Sequence, residues 1–149
     1  MNLPAEMLRL LNGEKFCTLA TSYANRPHAF LMVFTYLPPE NLLIMSSRTD
    51  SGKVKHLKEN PEVALLLYNT GKGGEPPISC TLYGTATVLP TANDSYYRES
   101  HYERHRDKGA FIKGKNISII SVKLRNAVMS DAKDSVHTWA AEDSSTPEP

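Results

Sequence analysis

Leu42-Leu43-Ile44-Met45-Ser46-Ser47-Arg48-Thr49-Asp50-Ser51-Gly52-Lys53-Val54-Lys55-His56-Leu57-Lys58-Glu59-Asn60-Pro61-Glu62-Val63-Ala64-Leu65-Leu66-Leu67 is the stretch whose reading decides the fold. The apolar runs at its two ends have the length of buried strands. Between them, Asp50 or Ser51 is placed to cap a first helical turn, Val54 and Leu57 make an apolar stripe, and Pro61 stops the helix just after Asn60. The order is therefore strand, polar turn, short helix, strand.

The polar turn carries the chemistry. Ser46, Ser47, Arg48, Thr49, Ser51 and Lys53 set hydroxyls and two cations where a strand ends and a helix begins. Free backbone N–H groups and the helix dipole favour an anion at such a place. A phosphate is the obvious guest. A capped helix with solvated polar residues uses the same residue types, since Ser, Thr and Asp are common caps, and on chemistry alone the two readings stand level.

Ser47 to Leu57 followed by Asn60-Pro61-Glu62-Val63-Ala64-Leu65-Leu66 resembles the signature of the pyridoxamine 5'-phosphate oxidase-like proteins, the FMN-binding split barrels. The order of elements from about Leu8 to Asp131 is similar as well. The resemblance implies a mainly β fold with flanking helices, a six-stranded split β-barrel, and FMN as cofactor. It implies a flavin phosphate held by Ser46, Ser47, Arg48, Ser51 and Lys53, and a flavin ring and ribityl chain running along Ala29, Phe30, Leu31 and Met32. Ser79 stands where the family often has a Gln that reaches the flavin bound mainly by the other subunit of a homodimer.

The implied activity is an FMN-dependent oxidoreductase acting on an unidentified small molecule. Such chemistry belongs to the flavin and needs no protein nucleophile, and no Ser/His/Asp or Cys/His arrangement stands out. Two departures separate the chain from true pyridoxamine phosphate oxidases. Phe30 and Gly52 occupy positions where those enzymes commonly carry Arg, and Asp131 to Pro149 holds no counterpart of their substrate-gripping Arg and His. Vitamin B6 oxidation is not expected. A non-catalytic flavin- or haem-binding module is the alternative, and a deazaflavin could replace FMN.

Composition sets the remaining bounds. A chain of 149 residues fits one domain, read here as positions 1–135 with a polar tail at 136–149. Lys plus Arg (17) nearly balances Asp plus Glu (16), which gives no general pull toward nucleic acid or anionic membrane. Cys17 and Cys80 sit in apolar, strand-like runs and form no metal-ligand pair. No apolar run reaches membrane-spanning length, and the first residues do not read as a targeting signal. A cytoplasmic protein is expected, and Asn93-Asp94-Ser95 and Asn116-Ile117-Ser118 are then chance sequons.

The rest of the chain follows the same logic. Pro4 to Leu11 reads as a helix ended by Asn12-Gly13, and Phe16 to Thr21 and His28 to Tyr36 as a hairpin around Ala24-Asn25-Arg26-Pro27. The second of these strands is apolar on nearly every residue, so both faces should be covered. Asn69 to Pro77 reads as a flexible loop, not a phosphate loop, for it lacks the Gly-Lys-Ser/Thr ending. Ile78 to Leu89 is a long strand with a bend or bulge at Gly84. Pro90 to Asp107 is a helix expected to pack its tyrosines on the barrel. His101 and His105 lie one turn apart, but no third ligand accompanies them and no metal is assigned. Ile117 to Asp131 closes the sheet. Trp139 is expected to fold back near the flavin or the dimer seam, and the last several residues to be disordered.

Overall fold

A computed structural model of the chain describes residues 3–133 and 135–141. In order these form α1 (Ala5–Gly13), β1 (Phe16–Tyr23), β2 (Arg26–Val33), β3 (Thr35–Leu37), β4 (Leu42–Arg48), α2 (Gly52–Glu59), β5 (Glu62–Asn69), β6 (Ile78–Val88), α3 (Ser95–Arg104), β7 (Ile117–Asp131) and β8 (Val136–Ala140), with short 3-10 turns between. All the strand pairings are antiparallel, in the order β2-β1-β5-β6-β7-β4-β3, and β8 adds to the far half of β7.

That order explains the shape. The two strands at the ends of the path, β2 and β3, are consecutive in the chain and joined by Phe34 alone. One residue spans only about 3.5 Å, so the sheet must curl until its edges meet. The described pairings include none between β2 and β3 or β4, and the barrel is left split along that line. Alternation fills it: Cys17, Leu19, Val63, Leu65, Leu67, Cys80 and Leu82 point inward with Leu43, Met45, Ile120 and Val122.

The sequence predicts one strand over His28–Tyr36, and the structure breaks it at Phe34. There the N–H donates to the Lys15 carbonyl at 3.1 Å instead of to a sheet partner, and the ring is fully buried. Gly84 does sit at a bulge, where the β6–β7 register shifts between Tyr83 and Gly84. A Cβ there would run into the Lys123 carbonyl and a Val122 methyl, so only glycine lets the two strands approach. Two more strands appear than the six expected, because β3 splits from β2 and β8 extends the sheet past position 135. Trp139 lies opposite Ala127 and is buried, while the residues expected to be disordered, Glu142–Pro149, lie outside the described residues.

α3 corrects a second expectation. It does so only in part: Tyr96 is 62% exposed while half-buried Tyr97 donates to Glu40 at 2.7 Å, and the side chains fully buried against the barrel are His101 and His105. They face the split because it needs polar partners. His105 Nε2 donates to the Phe34 carbonyl at 2.7 Å, and His101 Nδ1 lies 2.7 Å from the Thr35 hydroxyl. The two rings meet edge to face at 4.9 Å. Arg98, paired with Asp94 at 2.6 Å, anchors the other side of the helix.

Burial also pushes both free thiols, Cys17 and Cys80, up to about 12. No helix among the described residues is long and apolar enough to cross a membrane.

Desolvation holds the His101 ring neutral, its pKa lowered to about 3, with His105 and Arg104 acting in the same direction. His105 is lowered too, by burial first. An unfolded chain protonates these rings near pH 6.5, so stability should be full above that pH. Below it, neutral His101 should cost about 1.4 kcal/mol per pH unit, and His105 acts in the same direction. Urea midpoints measured between pH 7.5 and 5, above most carboxylate titrations, should fall, and His101→Gln should flatten the fall. An equal slope in both proteins would show that the histidines are not its source.

Candidate functional site

The split opens into a cavity of about 370 Å³ between β2 and the end of β4. Leu31, Met32 and Val33 line one side, and Ser46, Ser47, Arg48, Ser51 and Lys53 the other. Phe16, Lys108, Phe111 and Ile117 complete it. Seven of the ten residues singled out in the sequence therefore converge: Leu31, Met32, Ser46, Ser47, Arg48, Ser51 and Lys53. The volume falls within the roughly 300–1,000 Å³ of small-molecule sites.

The three serine hydroxyls are held in place. The Ser51 hydroxyl accepts from the Val54 N–H at 3.3 Å, the helix cap read from sequence, and lies 2.9 Å from the Ser47 hydroxyl. The N–H groups of Gly52 and Lys53, in the same first turn, have no intrahelical acceptor. The turn is tied to β7, for the Thr49 N–H donates to the Asn116 carbonyl at 2.7 Å and its hydroxyl meets that of Ser118 at 2.9 Å. Ser46 donates to the Phe111 carbonyl at 2.7 Å.

The cations differ in availability. Arg48 is engaged by Asp50 through two bonds of 3.1 and 3.2 Å, a pairing that raises the guanidinium pKa and lowers that of the carboxyl. Both side chains are exposed, so water screens the pair and an arriving anion competes for Arg48 at little cost. Lys53 forms no ion pair among the described residues, and its ammonium rests 4.8 Å from the centre of the Phe30 ring.

Phe30 and Ala29 lie on β2 beside the cavity without lining it. Phe30 heads a row of rings instead: His28 is 6.3 Å away, His56 stands 4.4 Å from His28, and Tyr23 lies 4.7 Å from His56 under the Lys55 ammonium. Desolvation, then His28 and Lys55, lower the His56 pKa. Ser79 is elsewhere, 3.1 Å from the Ser130 hydroxyl in a separate hollow with Tyr68, Asn69 and Asp131. Trp139 does not line the cavity, and the described residues contain no cluster able to hold a metal ion.

Sequence reasoning missed Phe16, Val33, Lys108, Phe111 and Ile117. A signal was present for one of them, since Phe111 is the lone aromatic among the lysines and glycines of Lys108 to Lys115.

The sequence profile described as Pyridoxamine 5'-phosphate oxidase matches residues 3–124. The chain belongs to that family. A Schizosaccharomyces pombe member, named as a pyridoxamine 5'-phosphate oxidase homolog, is 31% identical over 97% of this chain and 94% of its own. Solved structures share the family's split barrel at lower identity. A FAD-binding protein from Mesorhizobium loti aligns with a TM-score of 0.73 at 16% identity, covering 85% of this chain and 94% of that one. A heme binding protein from Mycobacterium smegmatis aligns at 0.75 and 14%, covering 94% and 60%.

Ser51→Ala removes a cap whose loss typically costs about 1 kcal/mol. The melting temperature should then drop by about 2–4 °C, the scale for a chain of this size. Calorimetry checks this, and an unchanged melting temperature would show that the Val54 contact adds nothing.

Proposed function

We propose that the chain binds FMN in the split and serves as an oxidoreductase for a small molecule. What carries the reading is the convergence, in one cavity, of Ser46, Ser47, Arg48, Ser51 and Lys53 with the unpaired edge of β2. The hydroxyls, two cations and free N–H groups suit a phosphate. The edge of β2 suits the other half of the ligand, because backbone N–H and C=O groups left without a strand partner can meet the donors and acceptors of a heteroaromatic ring. Leu31, Met32 and Val33 present that edge beside apolar walls.

When bound, the flavin supplies the redox chemistry. The protein's residues bind and orient: Lys53 and Arg48 fix the phosphate end, β2 sets the plane of the ring, and Phe16, Phe111 and Ile117 limit water. Haem is the second reading, favoured by the heme-binding relative of this fold. None of the described histidines lines the cavity to offer an axial ligand, and His101 and His105 are already engaged at the split. A visible spectrum of the purified protein decides between flavin bands and a Soret band.

The outer face of β2, β1 and β5 supports a two-fold homodimer. Leu31, 73% exposed, pairs across Thr18 with exposed Leu66, and Phe16 and Tyr68 extend the same face. A contiguous apolar patch of this kind marks an association surface. Light scattering should give a dimer, and Leu66→Glu a monomer; a wild-type monomer at micromolar concentration would end this reading.

Lys53→Ala should weaken FMN by about ten- to a hundredfold, the scale of a charge-assisted hydrogen bond, and leave riboflavin nearly unchanged. Lys55→Ala, whose ammonium lies over Tyr23 instead, should match wild type. Titration of both ligands into the three proteins is decisive: equal loss of both, or no loss of FMN with Lys53→Ala, would reduce this turn to a helix cap.

A further inference from the structure

The segment between α3 and β7 enters the cavity with two side chains that no motif assigns. Lys108 and Phe111 line the same space as Arg48 and Lys53. We propose that the stretch Arg106–Phe111 is a recognition wall, in which Lys108 supplies a further cation to a ligand phosphate and Phe111 a ring face for a planar heteroaromatic group. The proposal rests on the flavin reading above and extends it to residues outside the strand–turn–helix motif.

Phe111 is 68% exposed, which in a loose loop would mean little. This loop is not loose. Ser46 donates to the Phe111 carbonyl at 2.7 Å, and Arg98 donates to the carbonyls of Ile112 at 2.5 Å and Ile117 at 2.9 Å. Arg98 is itself fixed by buried Asp94. Ile112, the next residue, is fully buried, and a Cβ on Gly114 would strike the Ala110 carbonyl, so the turn that ends the segment admits only glycine. A large apolar ring left outside by a backbone anchored at its own carbonyl and just beyond it is a surface held ready for something to lie on.

Charge agrees with the placement. The cavity is lined by Arg48, Lys53 and Lys108 and by no carboxylate. Arg48 is matched by Asp50 at 3.1 Å, and Lys108 meets Asp107 only at 3.5 Å, with the Asp107 side chain mostly in solvent. Both pairs are solvent-exposed and yield to an arriving anion at little cost, so Lys108 adds a third cation to Arg48 and Lys53 around a terminal phosphate of charge about −1.5 to −2. The two anchors also lie on different walls, with Lys53 from α2 and Lys108 from beyond α3. Leu31, Phe16 and Phe111 line the same cavity and supply its apolar part.

The test uses the full chain and titrates FMN and riboflavin into wild type, Lys108→Ala, Phe111→Ser, Phe111→Tyr and, as a charge control on the same loop, Lys115→Ala. Phe111 is exposed, so its replacement does not threaten folding. Lys108→Ala should weaken FMN by about tenfold and leave riboflavin unchanged. Phe111→Ser should weaken both ligands by about tenfold, the range of aromatic stacking, and Phe111→Tyr should restore both. If FMN binding depends on Lys53 yet either loop variant binds both ligands as wild type does, the recognition wall is overturned while the phosphate turn stands. If wild type binds neither ligand, the flavin reading fails and the wall with it.

Discussion

The structure depends on a linker of one residue. β2 and β3 stand at opposite ends of the hydrogen-bonded path, and Phe34 alone joins them. Nothing else in the topology forces the sheet to roll up. Because the closing edges meet without a ladder, their backbone groups must find other partners, and the chain provides them from outside the sheet: Lys15 for the Phe34 N–H, His105 for its carbonyl, His101 for the Thr35 side chain. The place where the barrel fails to close is also where the candidate cavity lies. Architecture and site share one origin.

Much of this was legible in the sequence, for local reasons. The strand–turn–helix–strand reading of Leu42 to Leu67 needs only strand-length apolar runs, a Ser cap and a Pro stop, and each is a property of neighbouring residues. Gly84 was readable as a bulge because a glycine weakens a strand interior unless the backbone must bend or another strand must come close. Those signals marked the polar turn, the family resemblance added the β2 residues, and seven of the ten chosen residues line one cavity.

The rest was not legible because its causes are non-local. The break at Phe34 depends on Lys15 and on His105, 71 residues further along the chain, and no pattern within β2 announces it. His101 and His105 looked like an incomplete metal pair because their partners, Phe34 and Thr35, lie far off in sequence. Trp139 looked like a lone anchor in a polar tail, yet β8 pairs with β7 and buries it. Lys108 and Phe111 looked like loop because what holds them, Ser46 and Arg98, comes from two other elements. The near-balance of charge likewise gave no hint that three cations collect in one cavity, since a net sum carries no position.

The two cysteines carry a different consequence. Both thiols are buried, at β1 and β6, and each is pushed up to about 12. At neutral pH they hold almost no thiolate, the form that attacks electrophiles and oxidants. The two thiols of the folded protein are thus poor nucleophiles. Alkylation becomes a clock for opening: a maleimide or iodoacetamide would count the moments when β1 or β6 parts from its neighbours.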